Sequence, residues 1–276
     1  MARPRHRAAE CGCMSWEGRV AVVTGGGTGI GAATVRLLAA RGVHCVINYA
    51  SSRDDAEALA AEVSGGAIAV QADITDDAQC RALAKAATDA FGRIDFLVNN
   101  SGRTKFAAHE DLDALSGADF IDIYQLNVIG AFQMVRACAP ALKAGDASAV
   151  VNIASVAGVF GMGSSVAYAA SKGALITMTK SLARVMAPAI RVNAVAPGYV
   201  GTGWFEKRLG AVGFAKLNER IAASVPMALA TMAPDVAAPV VNLLDPAMRS
   251  VTGEVMLVDA GGHLDVALSR RPGKEG

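Results

Sequence analysis

Seven short apolar runs, separated by longer Ala-rich stretches, limit what this chain can fold into. They are Arg19–Thr24, Val43–Asn48, Ala67–Gln71, Ile94–Val98, Ala149–Ile153, Ile190–Val195 and Glu254–Val258. Both alternating sets of positions in these runs are apolar, so each strand must be covered on two faces. Between them, Gly29–Arg41, Arg53–Val63, Asp77–Phe91, Phe120–Lys143, Val166–Met186 and Pro234–Leu244 have the composition or apolar spacing of helices. The alternation predicts the α/β class: a doubly wound parallel sheet of about seven strands with helices on both faces. No linker or repeat interrupts it, so one domain over residues 17–265 is expected. Residues 1–16, basic at Arg3, Arg5 and Arg7 but lacking an apolar stretch, read as a disordered tail rather than a secretory signal. Met14 is an alternative start, and residues 266–276 read as a C-terminal tail.

Charge and cysteine content exclude several classes of function. The 26 Lys+Arg residues against 25 Asp+Glu leave a net charge of +1, which gives no footprint for nucleic acid or an anionic membrane. The uncharged stretch Ala147–Ser171 contains Asn152, five serines and three glycines, so it reads as a buried strand and loop rather than a membrane span. Cys11, Cys13, Cys45, Cys80 and Cys138 form neither a disulfide framework nor a zinc pattern, and their odd number suits a reducing, cytoplasmic setting. His6, His44, His109 and His263 are scattered, and no metal site is expected.

The first strand runs into Thr24-Gly25-Gly26-Gly27-Thr28-Gly29-Ile30-Gly31, directly before the first helix. Glycines there permit a tight turn and let backbone amides approach a pyrophosphate at the positive end of the helix. A glycine cluster also makes a plain turn, but its place between strand and helix favours a dinucleotide. Further on, Tyr168 and Lys172 lie four residues apart on a predicted helix, hence on one face. Ser155 stands thirteen residues before Tyr168, just past a predicted strand.

The T-G-x-x-x-G-x-G spacing and the Ser155, Tyr168, Lys172 set resemble the short-chain dehydrogenase/reductase family. Other motifs follow in the family's order: Asp73 after a strand, Asn99-Asn100-Ser101-Gly102, Asn127, Pro197-Gly198, and Val258-Asp259-Ala260-Gly261-Gly262. The resemblance covers about residues 17–262 and implies a single Rossmann-fold domain. It implies cofactor contacts at Gly25, Thr28, Gly29, Ile30, Asn48, Asp73, Ile74, Asn100, Gly102, Pro197, Gly198, Val200 and Thr202, and at Tyr168 and Lys172. Ser51, Ser52 and Arg53 end the second strand without a carboxylate, which suits a 2′-phosphate and favours NADP(H) over NAD(H). Each motif taken alone is also an ordinary turn or helix cap.

The resemblance makes Tyr168 the acid in carbonyl reduction and the base in alcohol oxidation. Lys172 would stabilise its phenolate and hold the nicotinamide ribose, Ser155 would steady the carbonyl oxygen, and Asn127 would anchor a water linking Lys172 to solvent. The expected reaction interconverts a ketone (3-oxoacyl, polyketide-like or another small carbonyl) and a secondary alcohol. An NAD-preferring alcohol dehydrogenase and a non-catalytic dinucleotide-binding scaffold are the alternatives. Residues 201–225 would form a lid and Gly158–Ser165 would line the pocket opposite. Lys143-Ala144-Gly145-Asp146 carries one positive charge, which does not favour carrier-protein docking. A homodimer or homotetramer would form through Phe120–Lys143, Val166–Met186 and the last strand, where Ala169, Ala170 and Ala183 permit close packing.

Overall fold

The structure, a computed structural model, describes residues 16–267. The N-terminal tail up to Ser15, with Cys11, Cys13 and the alternative start Met14, lies outside the described residues, as does the C-terminal tail from residue 268. Two boundaries differ from expectation. Trp16 belongs to the folded body: its ring packs on Phe96 with centroids 5.4 Å apart, beneath the Arg41 guanidinium. At the other end a 3₁₀ helix spans Gly262–Ala267, past the expected boundary at 265.

Seven strands form one parallel sheet: β1 (Val20–Val23), β2 (His44–Tyr49), β3 (Ala67–Gln71), β4 (Phe96–Asn99), β5 (Ser148–Ile153), β6 (Ile190–Pro197) and β7 (Val255–Val258). Their order is β3-β2-β1-β4-β5-β6-β7. β1 pairs in parallel with β2 on one side and β4 on the other, so the chain reverses its direction of travel across the sheet between β1 and β4. In such sheets a crevice opens beyond the carboxyl ends of the strands at that reversal, and ligands bind there.

The helices are α1 (Gly29–Ala39), α2 (Arg53–Glu62), α3 (Asp77–Phe91), α4 (Gly117–Tyr124), α5 (Ala131–Ala144), α6 (Ala157–Phe160), α7 (Val166–Met186), α8 (Gly203–Ser224) and α9 (Ala233–Leu244). Strand side chains alternate between two cores. Val23, Val98 and Val151 meet Val35 and Leu38 of α1, Leu59 of α2 and Val240 of α9. Val22, Leu97 and Val150 meet Leu83 of α3, Met134 and Leu142 of α5 and Met186 of α7. Burial on both sides explains why these strands read as continuous apolar runs.

The expected helix Phe120–Lys143 is three pieces: α4, a π-helical turn over Gln125–Gly130, and α5. Such turns widen the spiral by one residue and re-aim the side chains they carry, here Asn127. The expected lid is α8, broken at Gly210, whose φ of 69° leaves the helical region. No helix of the described residues is long and apolar enough to cross a membrane.

Candidate active site

Thr24, fully buried at the end of β1, joins the loops that follow β1 and β4. Its hydroxyl accepts hydrogen bonds from the backbone N–H groups of Asn100 (2.9 Å) and Ser101 (3.0 Å). The Asn100 amide in turn donates to the carbonyls of Thr24 and Gly25, both at 2.9 Å. The turn is tight enough that Gly31 admits no side chain: a Cβ there would lie 2.4 Å from the Gly25 carbonyl oxygen. Gly25 itself has φ +58°, a conformation that favours glycine. Asn48, expected as a cofactor contact, also braces the turn from behind, donating to the Ala72 carbonyl at 2.9 Å and accepting from Gly25 N–H at 3.4 Å.

A cleft of about 350 Å³ opens at this reversal point. Gly25, Thr28, Ile30, Asn48, Ser51, Ser52, Asp73, Ile74, Asn100, Gly102 and Thr202 line it, together with Tyr49, Ala50, Ala72, Ser101, Arg103 and Leu126, which were not among the expected residues. The lining does not reach Gly29, Arg53, Tyr168, Lys172, Pro197, Gly198 or Val200. Arg53 lies outward, paired with Glu57 at 3.2 Å and 3.4 Å from Gln71, its guanidinium 5.8 Å from the centre of the Tyr49 ring. Asp73 is not a helix cap: it closes a local turn by accepting from Thr75, and Asp76 caps α3.

The donor set fits a dinucleotide. Neither Thr28 at the start of α1 nor Ser52 at the start of α2 caps its helix with its side chain. Both helix ends therefore keep N–H groups available to phosphate oxygens.

Ser155 follows β5 and Tyr168 sits in the first turn of α7, with Lys172 one turn later. The Ser155 hydroxyl donates to the Pro197 carbonyl at 3.4 Å and accepts from Ala157 N–H at 3.1 Å, and it acts on the Tyr168 phenol as a hydrogen-bonding neighbour that favours the phenolate. Lys172 is buried and donates from Nζ to the Ile153 carbonyl at 2.7 Å. Its ammonium lies 5.7 Å from the centre of the Tyr168 ring. Burial lowers the Lys172 pKa to about 8. Burial also pushes the Tyr168 phenol up, and the Ser155 hydrogen bond opposes this. The sequence suggested a phenol lowered by Lys172; in the structure desolvation raises it, and the opposing influence is the Ser155 hydroxyl.

Asn127 reaches the same place from the π-helical turn. Its Oδ1 accepts from Arg103 N–H at 2.8 Å, and its Nδ2 donates to the Arg103 carbonyl (3.0 Å) and Ser171 Oγ (3.0 Å). It thus clamps the segment after Asn99-Asn100-Ser101-Gly102. A Cβ on Gly102 would lie 3.3 Å from Asn127 Oδ1 and 3.4 Å from Lys172 Nζ, so the two groups flank one point of the backbone. Close packing holds the arrangement: a Cβ on Gly158 of α6 would lie 2.4 Å from the Lys172 carbonyl carbon. All four expected catalytic residues therefore converge near the cleft.

A second cleft of about 370 Å³, lined by Gly92, Arg93, Asp146 and neighbours, lies at the opposite edge of the sheet. Its charges are engaged with one another: buried Asp95 accepts from Arg19 and Arg93, and Arg19 also meets Asp146 at 3.0 Å.

Fold and cleft together define a dinucleotide-dependent oxidoreductase. The sequence model of the family described as enoyl-(acyl carrier protein) reductase matches residues 25–263. A Streptomyces violaceoruber protein named as ketoacyl reductase 2 of the granaticin polyketide synthase is 40% identical over 248 residues, covering 90% of this chain and 97% of its own. A 3-oxoacyl-[acyl-carrier-protein] reductase of Synechocystis is 37% identical, with coverage of 88% and 96%. The crystal structure of a Brucella melitensis short-chain dehydrogenase/reductase superposes with a TM-score of 0.81 at 30% identity, covering 90% of this chain and 97% of that one. The chain belongs to the short-chain dehydrogenase/reductase family, whose members use a nicotinamide dinucleotide.

Proposed function

We propose that this chain is an NADP(H)-dependent reductase of 3-oxoacyl, polyketide-like or related ketones. The observation that carries this reading is the convergence of Ser155, Tyr168, Lys172 and Asn127 near the dinucleotide cleft. The nicotinamide, when bound, supplies the hydride to the carbonyl carbon. Tyr168, kept protonated by burial, gives its proton to the carbonyl oxygen, and the Ser155 hydroxyl donates a hydrogen bond to the charge developing there. The Lys172 ammonium favours the resulting phenolate, and Asn127 holds the Arg103 segment beside them.

NADP(H) is favoured because Ser51, Ser52 and Arg53 supply hydroxyls, a free helix end and a guanidinium at the end of β2. One observation favours an NAD-preferring alcohol dehydrogenase instead: Glu57 already holds Arg53, and Asp54 and Asp55 occupy the first turn of α2. Turnover with NADPH and NADH, side by side against β-ketoesters and simple ketones, decides between them. Tyr168→Phe should abolish turnover while cofactor still binds; a scaffold would show no turnover even before the substitution.

We read the protein as a cytoplasmic homodimer or homotetramer. Half-exposed Phe120, Tyr124 and Phe132, with Ile121 and Ile129, give α4, the π-helical turn and α5 an apolar outer face that suits a second copy. Cys45, Cys80 and Cys138 are buried free thiols, which suits a reducing compartment. Light scattering on the purified protein tests the assembly.

A further inference from the structure

After β7 the chain turns sharply over Asp259–Gly262 and enters the 3₁₀ helix Gly262–Ala267. Asp259 is the pivot of this turn. Its carboxylate accepts from Gly261 N–H (3.1 Å), from His263 N–H (2.8 Å) and from His263 Nδ1 (2.9 and 3.0 Å). A carboxylate only accepts, so the imidazole proton sits on Nδ1, and the ring is held in one orientation.

The face of that ring lies parallel to Phe160, with centroids 6.2 Å apart and an angle of 8° between planes. Offset stacking of this kind is the arrangement aromatic rings prefer. Phe160 ends α6, the short helix that begins two residues after Ser155. Its ring is 42% exposed although His263 lies alongside, and Val159 and Met162 beside it are similarly open. The turn that carries Asp259 is tied to two other segments around the catalytic group. Gly198 N–H donates to the Val258 carbonyl at 3.0 Å, and Met227 N–H, just past the end of α8, donates to the Ala260 carbonyl at 3.1 Å. The turn that carries Asp259 and His263 therefore links the Pro197–Gly198 turn and the segment after α8 to the short helix that follows Ser155.

We infer that His263 is a specificity-determining residue. Held by Asp259, it fixes Phe160 as a flat wall at the end of the short helix that follows Ser155, and the site thereby prefers ketones with an aromatic group next to the carbonyl over straight-chain ketones. A ring fixed in advance costs a flat ligand little ordering, whereas a flexible chain must be straightened to lie along it. The inference rests on the reductase reading and narrows its substrate class.

Acetophenone and 2-octanone have the same number of carbons and test it. The wild-type enzyme should favour acetophenone in kcat/KM by about tenfold, in keeping with the energy of one offset aromatic pair. His263→Ala should collapse that ratio towards one, with an unchanged NADPH dissociation constant. His263→Phe retains a stacking ring without the Asp259 bond and should restore part of the ratio. Should His263→Ala fail to fold, Phe160→Leu, which keeps apolar bulk but loses the flat face, must show the same collapse. A wild type without preference, or a His263→Ala loss equal for both ketones, overturns the inference. Calorimetry of both ketones against enzyme saturated with NADP+ separates it from the reductase reading. If no ketone is reduced but acetophenone binds in a His263-dependent way, the reductase reading fails and the wall stands. If binding shows no such dependence, the wall fails as well.

Discussion

Lys172 Nζ donates to the main-chain carbonyl of Ile153 at 2.7 Å, which ties the second turn of α7 to the end of the strand that precedes Ser155. That hydrogen bond, with the close packing of Gly158 on the Lys172 backbone, sets the separation between the helix carrying Tyr168 and the loop carrying Ser155. It also gives the buried ammonium a partner without neutralising it. That is why desolvation dominates and lowers its pKa from 10.5 to about 8.

The pH dependence of the free enzyme should report this group. The Lys172 ammonium is present below about 8 and lost above it. Accordingly, kcat/KM for NADPH, which reflects the free enzyme, should fall as pH rises through about 8. Lys172→Met should remove that limb along with most of the activity. The same shift acts on stability with the opposite sign. Between about 8 and 10.5 the unfolded chain binds more protons at Lys172 than the folded one, so stability rises with pH across that window. Relative to Lys172→Met, the wild type should gain on the order of 3 kcal/mol across it, read from urea midpoints at both ends.

Two glycine substitutions should separate cofactor binding from turnover. In Gly31→Ala the new methyl would lie 2.4 Å from the Gly25 carbonyl oxygen and 2.7 Å from Asn100 Nδ2, inside the cofactor turn. Weakened NADPH binding and a stability loss of about 1–3 kcal/mol are expected. Gly158→Ala would instead push α6 off the backbone of Lys172 and Gly173. It should lower kcat with much less effect on the NADPH dissociation constant. Equal effects of both variants on binding and turnover would refute this division.

Arg53→Ala should weaken NADPH about tenfold and leave NADH unchanged, as expected for the loss of one charge-assisted contact to a phosphate at an exposed site. Because Glu57 competes for the same guanidinium at 3.2 Å, Glu57→Ala should tighten NADPH binding. Fluorescence titration with both cofactors measures each arm, and a parallel change in NADH affinity would remove Arg53 from phosphate recognition.

Asn127→Ala leaves the backbone N–H and carbonyl of Arg103 without their partner in a half-buried loop. A loss of about 1–3 kcal/mol is expected from such a deletion, with a clear fall in kcat. Asn127→Asp keeps the acceptor for Arg103 N–H and should recover part of the stability.

Much of the chain's architecture was legible in its amino acids. Strands such as Val20–Val23 are buried on both faces and had to be apolar throughout, so their number and parallel pairing followed from their pattern. Tyr168 and Lys172 share a helix face because of the helical repeat alone, and the Gly25–Gly31 turn announced its close approaches by excluding side chains. Other features carry no local signal. The π-helical turn at Asn127 reads as ordinary helix in sequence, since one added residue in the spiral changes aim and not composition. Thr24 and Asn48 looked like strand ends, yet their hydrogen bonds to Asn100, Gly25 and Ala72 shape the cofactor cleft. Arg53 could be identified as a cation, but its pairing with Glu57 depends on side-chain geometry.

The sequence by itself therefore determined the layers, the strand count and the candidate side chains for the chemistry, because periodicity and residue chemistry are properties of single segments. Tertiary structure alone decided which way Tyr168 and Lys172 shift, what clamps Arg103, and that His263 meets Phe160. Those outcomes depend on desolvation and on distances between segments separated by tens of residues or more. They exist only once the sheet has brought the carboxyl ends of its strands to one edge.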